Sequence, residues 1–295
     1  MNQLIKKLTG TGVAIVTPFH KNGSVDFKSL SRLVEHIIKG KCEYLVPLGT
    51  TGESVTLNMN EKKAVVDCVL ETNANRLPVV LGLGGNNTQE ILEKIRQSDF
   101  EGISAILSVS PYYNKPSQKG IVQHYKVIAE EAPVPVIIYN VPGRTGSNIL
   151  AETTLEIAGS QSNIIGVKEA SGNVEQIMSI IRQRSNGFLV ISGDDGLTLP
   201  LLAAGADGVI SVVANAYPKQ TSEMVRNALK FEMKRAQQLH YDLLPLIPLL
   251  FAEGSPAGIK YVLKQLEITD DFVRLPLVGI SKQLAQKISR CMEEI

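Results

Sequence analysis

One lysine stands where an apolar run ends. Lys168 closes Ile164-Ile165-Gly166-Val167-Lys168, whose other members carry no polar side chain. An amine at an apolar mouth loses hydration, which favours the neutral, nucleophilic form. Such an amine condenses with a ketone to a protonated Schiff base. That adduct withdraws electrons, so the neighbouring carbon sheds a proton and becomes an enamine nucleophile. If the run is a strand, Lys168 shares a face with Gly166, and the glycine leaves room beside the nitrogen. Two blander outcomes remain open at this point: a pair with adjacent Glu169, or a side chain reaching solvent.

Three further groups suit the same chemistry. Tyr139 ends the preceding apolar run on the face of Ile137, where a phenol can carry a proton to or from an adduct on Lys168; a satisfied core tyrosine is the alternative. Thr50 and Thr51 lie in the glycine-bracketed stretch Gly49-Thr50-Thr51-Gly52-Glu53. A turn there points hydroxyls and N–H groups at one spot, which suits a carboxylate, although ordinary turn chemistry uses the same residues. Arg144 sits in Val-Pro-Gly-Arg-Thr-Gly, just past Tyr139, where a guanidinium either grips a carboxylate in bidentate fashion or stays solvated. No bound cofactor is required by this chemistry.

Short Val- and Ile-rich runs begin near Gly12, Tyr44, Pro78, Ile103, Pro135, Ile164, Phe188 and Gly208, at intervals of 20 to 34 residues. Each reads as a strand buried on both faces. Helical periodicity fills the intervals, with Asp26, Asn60, Thr88 and Ser117 as polar starts and Gly40 as a stop. Eight alternating units predict an α/β fold, a (β/α)8 TIM barrel, with a C-terminal helical extension. The division expected is a catalytic barrel over 1–225 and a helical domain over 226–295. Lys219 to Ile295 should hold the eighth barrel helix and two or three more. In such a barrel the chemistry sits at the carboxyl ends of the strands, where Lys168, Tyr139, Thr50, Thr51 and Arg144 fall. Gly193-Asp194-Asp195 and Ser211 end the last two runs.

Composition narrows the function. Thirty basic against 29 acidic side chains give a formal charge of +1, which excludes an electrostatic grip on nucleic acid or anionic lipid as the main task. No apolar run approaches the ~20 residues of a membrane span, and the stretch before Gly10 is unlike a signal peptide. Cys42, Cys68 and Cys291 form neither a disulfide framework nor a zinc motif, so a cytoplasmic setting is expected, with no redox role readable for Cys42 or Cys68. His20, His36, His124 and His240 show no metal-ligand spacing, and the last three fall on helical stretches. Adjacent Asp194 and Asp195 should point apart, so no metal is expected. Gly82, Gly84 and Gly85 look like a phosphate loop, but no Lys-Ser/Thr follows them.

Taken together, Leu48 to Ser54 (LGTTGES), Tyr139 to Gly146 (YNVPGRTG) and Ile165 to Gly172 (IGVKEASG) resemble the dihydrodipicolinate synthase family of pyruvate-dependent Schiff-base aldolases. Pro111 to Pro116 (PYYNKP) and Ser192 to Asp195 (SGDD) agree, and the likeness runs from about Gly10 into the tail. The resemblance implies a lyase in which Lys168 forms a Schiff base with pyruvate. The enamine then attacks L-aspartate 4-semialdehyde, in the committed step of lysine and diaminopimelate synthesis. It implies a proton relay of Thr50, Tyr139 and Tyr113, the last from a neighbouring subunit of a homotetramer built as a dimer of dimers. Thr51 would hold the pyruvate carboxylate, and Arg144 the carboxylate of the semialdehyde. Gly193 and Ile210 would offer backbone carbonyls. Ser54, Asn86, Glu90 and Tyr112 match places expected of an inhibitor pocket. Met59 and Lys62 stand where lysine-inhibited relatives often carry histidine, so weak or absent feedback by lysine is expected. Gly254-Ser255-Pro256-Ala257 departs from the Asn-Pro-Ile-Pro of many relatives. The competing readings are an N-acetylneuraminate lyase or 2-keto-3-deoxy sugar acid aldolase, against which Arg144 argues, and a silent metabolite-binding barrel, against which Lys168 and Tyr139 argue.

Overall fold

Branched apolar residues occur in every strand of the protein, and the strands curl into a closed ring. The computed structural model describes residues 2–295. The first half runs α1 (Asn2–Lys7), β1 (Gly10–Ala14), α2 (Phe27–Lys39), β2 (Tyr44–Val46), α3 (Met59–Asn73), β3 (Val79–Gly82), α4 (Thr88–Gln97) and β4 (Ile103–Val109). It continues with α5 (Gln118–Glu131), β5 (Val136–Asn140), α6 (Pro142–Thr145), α7 (Ala151–Ser160), β6 (Ile164–Glu169), α8 (Val174–Gln183), β7 (Leu189–Ser192), α9 (Thr198–Ala203), β8 (Gly208–Ser211) and α10 (Pro218–Leu229). Neighbouring strands pair in parallel, and β1 pairs with β8 to close an eight-stranded barrel. The expected (β/α)8 architecture stands.

Two apolar shells hold it. Inward side chains such as Tyr44, Val80, Leu107, Ile137 and Ile191 fill the cylinder. Outward ones such as Leu45, Ile106, Ile138 and Val190 pack under the helices. Glycine is required where the strands crowd: a Cβ on Gly12 would lie 2.1 Å from the Tyr44 ring. Helix α1, which the sequence reading passed over, brings Leu4 and Ile5 against this inner cluster beside buried Leu8.

Helix starts follow side-chain caps. Asp26 accepts from the Ser29 N–H at 3.0 Å, Gly40 ends α2, and Ser117 caps α5. Two starts differ from expectation. Asn58, not Asn60, begins α3, because Glu61 stands three residues on and the pair closes a reciprocal capping box. Asn87 caps α4, so Thr88 is its first helical residue.

After α10 come four helices rather than two or three: α11 (Met233–Leu243), α12 (Leu246–Leu249), α13 (Ala257–Gln265) and α14 (Lys282–Met292). The extra one is the single turn α12, set off by Pro245. Helix α10 runs through positions 225 and 226, so a division of the chain there falls inside a helix. Among the described residues, no helix is long and apolar enough to cross a membrane.

Candidate active site

Strands β5 and β6 set the centre of the site. Their register pairs Tyr139 with Lys168 and Asn140 with Glu169. Because side chains alternate, Tyr139 and Lys168 fall together on the inner face at the carboxyl end of the barrel. The Lys168 Nζ lies 4.3 Å from the centroid of the Tyr139 ring. Both side chains are almost closed to solvent, at 6% and 7% exposure. Neither blander fate of Lys168 holds. Glu169 faces the other way, accepting from Asn140 Nδ2 at 2.8 Å, Gln176 Nε2 at 2.8 Å and the Ser171 N–H at 3.1 Å. Among the described residues no carboxylate pairs with the Lys168 ammonium.

The glycine that makes room for the lysine is not Gly166. A Cβ there would press on the Leu189 carbonyl at 2.7 Å, since Gly166 sits directly against β7. Gly193 has the role instead: its missing Cβ would lie 3.0 Å from Lys168 Cε and 2.7 Å from the Ala170 Cβ. The lysine stem crosses this glycine on its way to Tyr139.

The hydroxyl turn follows β2. It is closed by Gly52 N–H to Gly49 O at 3.1 Å and Glu53 N–H to Thr50 O at 3.1 Å, and Thr17 Oγ1 donates to Gly52 O at 2.7 Å. Leu48 and Glu53, both non-glycine, bracket it in the left-handed region at φ 58° and 51°. Thr51 is buried and Thr50 exposed. A Cβ on Gly82 of β3 would strike the Leu48 carbonyl at 2.4 Å, so that glycine lets the turn settle over the neighbouring strand.

Arg144 comes from α6, a single turn begun by Pro142 and ended by Gly146 at φ 69°. The short turn lifts the guanidinium over the barrel mouth. Among the described residues it meets no acceptor, and it lines one cleft of about 620 Å³ with Thr50, Ser54, Tyr112 and Tyr139. A phenol, hydroxyls and an unpaired guanidinium thus surround a single opening with apolar walls at Leu107 and Val109, and the Lys168 amine lies against the Tyr139 ring at its edge.

The profile of the dihydrodipicolinate synthetase family matches residues 7–295. The chain belongs to that family. It is 51% identical over 279 residues to the 4-hydroxy-tetrahydrodipicolinate synthase of Flavobacterium psychrophilum, covering 95% of each chain. Its fold is similar to that of a monomeric dihydrodipicolinate synthase variant at TM-score 0.95 and 40% identity, covering 98% of this chain and 97% of the other. It is also similar to the dihydrodipicolinate synthase of Acinetobacter baumannii, solved in complex with pyruvate, at TM-score 0.94 and 39% identity, covering 97% and 98%.

Other positions singled out from the motifs of this family fall into two groups. Ile210 is buried on the inner face of β8, in the cluster that includes Tyr139. Tyr112 and Ser54 line the cleft with Met59 and Lys62. Asn86 is joined to them through Nδ2 to the Tyr112 carbonyl at 3.2 Å. Burial, and then the Lys94 cation, hold the Lys62 ammonium below its usual range. Glu90 lies aside, accepting from Asn87 Nδ2 at 3.2 Å and pairing with Lys94 at 3.6 Å. Tyr113 is not brought to the opening of its own chain: it is 89% exposed and held at φ 72°.

Asp194 and Asp195 point apart and serve the backbone. Asp194 Oδ1 accepts from Gly196 and Leu197 N–H groups at 2.9 and 3.2 Å. Asp195 accepts from Ser211 Oγ at 2.5 Å and from the Val212 and Val213 N–H groups, while burial pushes its carboxyl up. Among the described residues no group of three or more His, Cys, Asp or Glu is placed to hold a metal ion. Sequence reasoning placed Asn140 and Glu53 at strand ends without a role and missed Gln176, Lys260 and Arg274, whose hydrogen bonds and ion pair hold the carboxylates of Glu169 and Glu53. One signal was available for Lys260, a cation inside the otherwise apolar stretch Ile259 to Leu263.

Proposed function

We propose that this chain condenses pyruvate with L-aspartate 4-semialdehyde on Lys168, giving 4-hydroxy-tetrahydrodipicolinate. The chain is a lyase of the class I aldolase type, and the reaction is the committed step of lysine and diaminopimelate synthesis. The observation that carries the assignment of residues is the placement of the Lys168 amine against the ring of Tyr139 at one buried strand end, Tyr139 itself lining the cleft with Arg144.

The steps follow from the groups present. The Lys168 amine attacks the pyruvate ketone, and the carbinolamine loses water to give a protonated Schiff base. Loss of a methyl proton gives the enamine, which attacks the aldehyde carbon of the semialdehyde. The semialdehyde's own amine then displaces Lys168 as the ring closes. Tyr139 handles protons at the adduct, with Thr50 and the Tyr113 of a neighbouring subunit as its relay. Thr51 holds the pyruvate carboxylate, and Arg144 takes the carboxylate of the semialdehyde as a bidentate pair. Gly193 and Ile210 contribute backbone carbonyls. A largely exposed aromatic residue in the left-handed region suits a group that completes a partner's site, and it supports a dimer within a homotetramer. Three unpaired thiols suit a cytoplasmic setting.

Borohydride reduction with pyruvate, followed by mass spectrometry, tests the reading. A reduced pyruvyl mass on Lys168, absent from Lys168→Ala, is expected. Labelling elsewhere, or none, overturns it. A product assay with the semialdehyde against N-acetylmannosamine separates this activity from that of a sugar acid lyase.

A further inference from the structure

The turn that presents Thr50 and Thr51 is gripped from outside the barrel. Glu53, at its end, is 1% exposed, and its Oε1 meets Lys260 Nζ of α13, itself 0% exposed, at 2.5 Å. The same ammonium donates to the Phe272 carbonyl at 2.8 Å, and the second Glu53 oxygen accepts the Arg274 N–H at 3.0 Å. The Arg274 guanidinium continues the net to the Thr56 carbonyl at 2.8 Å, the Gly23 carbonyl at 2.6 Å and Glu61 Oε1 at 2.5 Å. Both cations lie over the ring of Phe19, Lys260 Nζ at 4.2 Å and Arg274 Cζ at 4.5 Å from its centroid. One carboxylate therefore ties three regions together: the turn after β2, helix α13 and the segment leading to α14.

Stability alone gives a weak reason for charges there. Removing two ions from water carries a desolvation cost that their attraction must first return, and apolar pairs of similar volume often serve a core as well. An apolar pair has no direction, however. The ion pair fixes the carboxylate of a residue whose backbone is held left-handed at φ 51°, a conformation disfavoured for a non-glycine residue. Glu53 is two residues beyond Thr51, and its N–H closes the turn onto Thr50. Orientation of both hydroxyls thus depends on where that carboxylate is anchored.

We propose that Glu53, Lys260 and Arg274 are positioning residues for the synthase reaction, through which the C-terminal segment sets the orientation of the Thr50 and Thr51 hydroxyls at the barrel mouth. The inference rests on the reading that these threonines act on pyruvate and its adduct. None of the three lines the cleft.

The experiment compares a double variant, Glu53→Gln with Lys260→Met, which leaves no lone buried charge, with Val262→Ala, which opens a cavity in the same helix and leaves the network whole. Arg274→Gln is the milder third variant, at the partly solvated end of the net. Pyruvate KM and kcat are measured alongside melting temperature. In the double variant pyruvate KM rises about tenfold and kcat falls about tenfold, in line with the cost of sub-ångström misplacement, and Arg274→Gln moves both the same way by about threefold. Val262→Ala loses melting temperature and keeps both constants. Wild-type constants in the folded double variant overturn the proposal, as do wild-type constants in Arg274→Gln, or a Val262→Ala that loses activity as fully. Borohydride trapping at saturating pyruvate labels Lys168 in every variant. A wild-type enzyme that fails to trap sinks the proposed function instead, so the two failures are distinguishable.

Discussion

Asn140 donates from Nδ2 to Glu169 Oε1 at 2.8 Å on the outer face of the two strands whose inner face carries Tyr139 and Lys168. The two pairs are consecutive rungs of one ladder. Whatever holds the outer rung holds the inner one, because a backbone slip of one residue would turn every side chain to the opposite face.

Loosening that outer rung should therefore reach the chemistry. Asn140→Ala leaves Glu169 with Gln176 and the Ser171 N–H, while it deprives the Ile149 N–H of its acceptor, Asn140 Oδ1 at 3.0 Å. A buried donor without a partner costs about 1–3 kcal/mol. The expected outcome is a lower urea midpoint and a kcat reduced about tenfold with little change in the KM for either substrate, since the Tyr139 ring and the Lys168 amine lose their mutual alignment. Steady-state kinetics on the folded variant check it, and an unchanged kcat counts against coupling between the rungs.

The sequence showed the inner rung and hid the outer one, for a physical reason. A lysine ending an apolar run conflicts with its surroundings, and the conflict is visible in one dimension. Asn140 and Glu169 conflict with nothing until the strands pair, because their satisfaction comes from α8 and from the loop at 148–149. The same holds for Gly193. In the sequence it only ends a strand, and the approach of the Lys168 stem shows why a Cβ is excluded. Barrel topology was legible because eight branched apolar runs recur evenly. Helix α1 was not, because six residues carry too little periodicity to read.

Arg144 makes a prediction about which substrate suffers. Its guanidinium lies on the rim of the cleft, without an acceptor among the described residues, so removing it breaks no folding contact. Arg144→Ala should raise the KM for L-aspartate 4-semialdehyde by about tenfold to a hundredfold, the worth of a charge-assisted hydrogen-bonded pair, and shift the melting temperature little. Borohydride trapping by pyruvate should persist. A variant whose pyruvate KM rises instead would move the arginine to the other carboxylate.

Lys62 bears on inhibition by lysine. It lines the same cleft as Ser54 and Tyr112, close enough to Lys94 for the two cations to disfavour each other. A lysine bound there would bring another ammonium and add to that repulsion. The enzyme should retain activity in sub-millimolar lysine. Lys62→Ala, which removes the cation, should bind lysine more tightly, read as a lower half-inhibition concentration. Half-inhibition of the unaltered enzyme below millimolar lysine would overturn the expectation.

His124 predicts a dependence of stability on pH. It is buried between α5 and the first residue of α4, with Nδ1 at 2.8 Å from Thr88 Oγ1 and Nε2 without a partner. Burial pushes the imidazole down from 6.5 to about 4. The folded protein therefore keeps this ring neutral where the unfolded chain has already taken a proton. Stability from this residue is complete above about 6.5 and is lost as the pH falls toward 4, a difference of roughly 3 kcal/mol across the window. His124→Gln keeps a polar group for Thr88 but cannot titrate. The free-energy gap between the two proteins, from urea midpoints measured at half-unit steps from pH 7.5 to 4, should shift in favour of the variant as the medium becomes more acidic. Parallel curves would show that the folded ring titrates as it does in the unfolded chain, and would overturn the expectation.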